Sequence, residues 1–153
     1  MSSPRLHPIA VACGLSLAGW LACTPALAAQ FSIVDQRGEG EISERTRFYI
    51  DGVLVAQAQL GDRQNETVMQ VTVPDRDHYE YSLCGSVTIQ NPGGTETHEV
   101  NASGILRHPD GHRFEAMGTE NYNGFYLVDR TDPTSGSVEN RAIRSLACAS
   151  PSS

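Results

Sequence analysis

The chain has 153 residues, eleven arginines and no lysine, eighteen Asp and Glu, and a formal net charge of -7. Without lysine there is no Schiff-base lysine, lysine general base or phosphate-loop lysine. The acidity disfavours nucleic acid and anionic membrane surfaces, and leaves basic proteins, neutral glycans and cations as partners that suit the overall charge.

The first segment, "MSSPRLHPIAVACGLSLAGWLACTPALAAQ", carries one cation at Arg5, an apolar run from Ile9 to Cys23, and small residues at Ala26 and Ala28. That pattern predicts a secretory signal peptide over residues 1–28, cleaved after Ala28, and a single domain over 29–153 that is periplasmic or secreted. "WLAC", from Trp20 to Cys23, also resembles a lipobox with tryptophan in the usual leucine position, so lipid anchoring through Cys23 is the alternative fate. No later stretch approaches the roughly 20 apolar residues of a transmembrane helix, and no transmembrane segment is expected after signal removal. Cys84 and Cys148 then remain, and an oxidising compartment predicts one disulfide between them.

Beyond the signal, short runs alternate between apolar and polar residues, the period of half-buried strands. "QFSIV" reads as a first strand and "RGEGEISERT" as a charged loop. "RFYIDGVLVAQAQL" predicts a hairpin about Asp51-Gly52, with Ile50 opposite Val53 and Phe48 opposite Val55. "TVMQVTV" directs Met69, Val71 and Val73 to the core, and Pro74 ends that strand. "HYEYSLCGSVTI" turns Tyr79, Tyr81 and Leu83 inward, with Gly85 marking a bulge or a close approach.

"NPGG" is a turn, and "ETHEVNASGILRH" a long polar strand. "HPDGH" predicts a three-residue hairpin loop that pairs His108 with His112 and Leu106 with Phe114. That register puts Leu106, Phe114 and Ala116 inside, and Arg107, Arg113 and Glu115 outside. "NYNGFYLVD" supplies another turn at Asn123-Gly124, followed by a strand. "SVENRAIRSLACA" is read as a short helix with Val138, Ala142, Ile143 and Leu146 inward, an edge strand being the alternative. The sum is an all-β domain, expected as an antiparallel β-sandwich of immunoglobulin-like type or a small β-barrel, with a short C-terminal helix. Trp20 leaves with the signal, so the core tryptophan of antibody domains is missing.

In the predicted hairpin His108 and His112 share one face and are candidate ligands for a metal ion, with His98, Asp110 and Glu115 the nearest further donors. The plain alternative is a histidine pair at a hairpin rim. "DRDH" (Asp75 to His78) and "DRTD" (Asp129 to Asp132) offer oxygen ligands to calcium without the spacing of an EF-hand, and clusters of this kind commonly just solvate a turn. There is no HExxH and no GxSxG, and "NASG" is not a nucleophile elbow, so no catalytic residue and no cofactor beyond such a metal ion is assigned. The signal resembles a bacterial one, and in such a chain the sequons at Asn65 and Asn101 are expected to carry no meaning.

Tyr122, Phe125 and Tyr126 surround the second Asn-Gly turn, where exposed rings would stack on sugars or anchor a protein. The functional expectation is a non-catalytic binding protein acting on another envelope protein, as an inhibitor, an immunity protein or an assembly accessory. A glycan-binding module and a histidine-based metal-binding protein are the alternatives.

Overall fold

A computed structural model of the chain describes residues 27–61, 63–119 and 124–141. Nine strands occur among them: β1 (Ala28–Gln36), β2 (Glu41–Ile50), β3 (Val53–Leu60), β4 (Glu66–Pro74), β5 (His78–Asn91), β6 (Gly94–Arg107), β7 (Arg113–Gly118), β8 (Phe125–Asp129) and β9 (Val138–Arg141). They form a four-stranded sheet in the order β4-β1-β7-β8 and a five-stranded sheet in the order β3-β2-β5-β6-β9. The protein is an all-β sandwich of two packed sheets; the sheets do not close into a barrel, and the described residues contain no helix. None is therefore long and apolar enough to cross a membrane.

The period-2 pattern sets the interior. Met69, Val71 and Val73, then Tyr79, Tyr81 and Leu83, and Leu106, Phe114 and Ala116 are all buried as expected. Phe31 of one sheet meets Phe48 of the other edge to face at 6.4 Å and also Phe114 at 5.7 Å, while Phe48 stacks on Tyr81 at 6.0 Å. Such aromatic contacts add to area burial and fix how the sheets sit on each other. At Gly85 an added Cβ would lie 2.8 Å from the Phe125 ring and 2.9 Å from the Arg45 carbonyl oxygen. The expected close approach is there, with the opposite sheet's Phe125 filling the space.

The Asp51-Gly52 turn is a hairpin turn, and both residues have positive φ, 48° and 80°, as a type I′ turn requires. Ile50 pairs with Val53, but the register shifts between Phe48 and Tyr49, so Phe48 faces Ala56 and not Val55. A β-bulge there inserts one residue into the ladder.

Four further expectations are corrected. The stretch 41–46, read as loop, begins β2, because its alternation with Thr46 and Phe48 continues into the core. The HPDGH turn does not close a hairpin: β6 lies in one sheet and β7 in the other, so neither His108/His112 nor Leu106/Phe114 are cross-strand pairs. Instead, Gly111 N–H donates to the Gln30 carbonyl (2.7 Å) and Gln30 N–H to Asp110 Oδ1 (2.8 Å), and β7 then runs parallel to β1. Gly111 has the expected positive φ, but turn chemistry fixes a reversal and not the strand it delivers to.

Val138–Arg141 is a strand on the edge of β6, with Val138 opposite Leu106, in place of the start of a helix; Ala142, Ile143 and Leu146 lie outside the described residues. The disulfide between Cys84 and Cys148 is likewise not found, since no two described cysteines stand at bonding distance: Cys84 alone is described. Cys84 is buried and is not a free thiol, but Cys148 lies outside the described residues, as do residues 1–26 of the expected signal with Cys23.

Candidate binding face

The alternation that buries Glu44, Thr46, Phe48 and Ile50 sends Arg45, Arg47 and Tyr49 to the outer side of the five-stranded sheet. The bulge at Val55 of β3, which has no partner on β2, then aligns them with the outward residues of β3. Arg45 stands opposite Gln59 and Arg47 opposite Gln57. On the other flank Arg45 pairs with Ser86 and Arg47 with Cys84, and these continue to Glu99 and Asn101 on β6. Two rows, polar except for the buried Cys84, thus cross four strands: Gln59, Arg45, Ser86, Glu99 and, beside it, Gln57, Arg47, Cys84, Asn101.

These rows line a concavity of about 740 Å³ on the sheet surface. Among the described residues Arg45 and Arg47 have no acidic partner, whereas Arg76, Arg107, Arg113, Arg130 and Arg141 all do. In a chain with a surplus of carboxylates, two cations left unpaired in one concavity make a local positive site. An exposed guanidinium offers a planar fork of donors suited to carboxylates.

The expected sites are placed differently. His112 donates or accepts through Nδ1 at 2.7 Å from Asp129 Oδ2, and stacks on Phe114 at 6.0 Å. His108 is exposed, in a positive-φ conformation (46°), and its backbone N–H donates to the Asp77 carbonyl. His98 lies near Glu96, Asp110 Oδ1 accepts from Gln30 N–H, and Glu115 pairs with Arg130. Among the described residues no three His, Cys, Asp or Glu are grouped to hold a metal ion.

Asp129, considered above for calcium, has its oxygens occupied by protein donors. Oδ1 accepts the N–H groups of Thr131 and Asp132 at 2.9 and 3.2 Å, and Oδ2 accepts the hydroxyls of Ser137 and Ser135 besides facing His112. Burial alone would raise its pKa, but the bonds from Ser137, His112 and the two backbone groups outweigh burial and hold the carboxyl below its ordinary value. The cluster ties the 130–137 loop to the start of β7 and the end of β8.

Of the aromatic trio, Tyr122 lies outside the described residues, Phe125 is 9% exposed and part of the core, and Tyr126 is 36% exposed on the other sheet. Phe125 and Tyr126 alternate in direction along β8, so the described pair forms no row of exposed rings.

One acidic cluster escaped the sequence reading. Asp35 on β1 and Glu44 on β2 face the interior, 1% and 2% exposed, beside fully buried Thr46. Both Asp35 oxygens and Glu44 Oε1 have no hydrogen-bond partner among the described residues unless a proton lets one carboxyl donate to the other. Burial, then the negative charges of Asp35 and Glu41, push Glu44 up to about 9, and burial raises Asp35 as well. These carboxyls line none of the described concavities.

The chain matches no family model, no curated protein and no solved structure. The outer-face rows therefore carry the functional reading alone. Their sequence signal was visible as "RTR" and "QAQ" on either side of the Asp51-Gly52 turn, but without the bulge the expected register put Arg47 opposite Ala56.

Proposed function

We propose that the protein is a periplasmic or secreted, non-catalytic binding protein that docks another envelope protein on the outer face of its five-stranded sheet. The observation that carries this is the concavity crossed by two polar rows, in which Arg45 and Arg47 have no acidic partner among the described residues. Charged and amide groups on a rigid sheet give orientation and specificity to a protein partner. The glycan reading rested on a row of exposed aromatic rings, and Phe125 belongs to the core. The metal reading rested on opposed His108 and His112, which sit on a crossing between sheets.

At the finer level of fold, an immunoglobulin-like sandwich has its first two strands as neighbours in one sheet. Here β1 lies between β4 and β7 while β2 belongs to the other sheet, so we read the domain as a sandwich with its own strand order.

The experiment is recovery of the tagged mature protein from its own envelope, with mass spectrometry of what accompanies it, beside R45A/R47A. The expected result is a stoichiometric protein partner held by the wild type and lost by the double variant, with the melting curve unchanged. A partner retained by R45A/R47A, or none with either protein, overturns the reading.

A further inference from the structure

We propose that the β2–β3 half of this face binds an extended, acidic polypeptide segment with Asp or Glu at every second position, an inference that rests on the outer face being the docking site. Arg45 and Arg47 are two residues apart on one strand, so their Cα atoms are separated by about 6.8 Å along it. A second extended chain lying along β2 repeats its own side chains on one face at the same interval. Two carboxylates at positions i and i+2 therefore meet two guanidiniums in register, each able to form a paired hydrogen bond. A helical segment does not offer this match, because its same-face residues are three or four apart.

The flanking residues suit the same occupant. Gln57 and Gln59 are exposed on β3 opposite Arg47 and Arg45, and their amides can donate to and accept from the backbone of an extended chain. Charge narrows the position of the segment. Glu99, exposed on β6, ends the Arg45 row two strands away, about 10 Å across the sheet, and has no cationic partner among the described residues. An acidic segment is thus repelled from the β5–β6 side and held over β2 and β3. Overall acidity disfavours such a ligand elsewhere on the molecule.

The test uses the full mature chain and two labelled peptides of equal length and charge, one with Glu at every second position and one with Glu at every third. By fluorescence anisotropy the alternating peptide is expected to bind about tenfold tighter, and to weaken as salt rises. R45A and R47A should each weaken it, R45K/R47K should restore only part of it, and E99Q should tighten it. Equal affinity for the two peptides, indifference to R45A/R47A, or tighter binding of a heparin fragment of the same charge overturns the inference. Should the envelope partner be captured through Arg45 and Arg47 while neither peptide binds, the acidic-segment inference fails and the docking face stands. If the wild type captures no partner and binds no peptide, both fall.

Discussion

Asp35 and Glu44 give the fold a pH dependence of definite sign. Two buried carboxyls, three of whose four oxygens have no hydrogen-bond partner among the described residues, cannot both ionise cheaply, so at least one keeps its proton in the folded state. Because the folded value of Glu44 is raised to about 9, the native state binds more protons than the unfolded chain between the ordinary carboxylate range and about pH 9. Stability is then full below that window and falls as pH rises through it, by linkage. Asp129 acts at the other end: its value is lowered in the fold, so its contribution is present at neutral pH and is lost as pH falls through the folded value. A melting temperature measured from pH 3 to 10 should pass through a maximum on the acid side of neutrality. E44Q, which stays neutral, should flatten the alkaline limb and leave the acid limb in place. An alkaline limb as steep in E44Q as in wild type would mean that another group holds the proton.

At the scale of elements, the corner between β6 and β7 is the sharpest test. Gly111 has a φ of 75° and occupies the third position of a turn closed by His112 N–H on the Pro109 carbonyl (2.9 Å). Gly111→Val should destabilise the protein by about 1–3 kcal/mol, read as a lowered melting temperature, since a β-branched residue is strained there. An unchanged melting temperature would mean that the turn has another conformation.

The same corner marks what a sequence can convey. Inner-face residues such as Tyr79, Tyr81 and Leu83 were legible because alternation is a local signal, and so were the turns at Asp51-Gly52 and Gly111. Where the chain goes after a turn depends on which edge is free to accept it, and β7 found β1, some eighty positions earlier, in place of β6. The bulge at Val55 of β3 is equally silent in the sequence, yet it decides whether Arg47 faces Gln57 or Ala56, and so whether the rows exist. Residues 41–46 read as part of a charged loop because the stretch is rich in Glu and Arg, and burial of Glu44 beside Asp35 depends on a strand distant in sequence. The outer-face site and the buried acids are therefore products of register and of pairing between sheets.

For the whole molecule, the notable property is how unevenly charge is spread. Net acidity described the average surface, and suggested basic partners; the concavity of the five-stranded sheet is locally the opposite. Among the described residues five arginines are spent on carboxylates within the fold and Arg45 and Arg47 are not, so removing these two should alter association and leave stability within about 0.5 kcal/mol. A larger loss of stability in R45A/R47A would assign them a packing role.

The position of β1 has a consequence in time. It is the first strand of the described domain, yet its two neighbours are β4 and β7, and β7 ends at Gly118. During vectorial emergence of the chain both of its edges stand open, and the second is satisfied only after most of the sequence has appeared. Pairings this remote delay the rate-limiting step, and refolding should take milliseconds to seconds, not microseconds. For that interval an apolar strand with unpaired edges, carrying Phe31, Ile33 and Val34, is the segment of the nascent chain with most reason to meet a holdase.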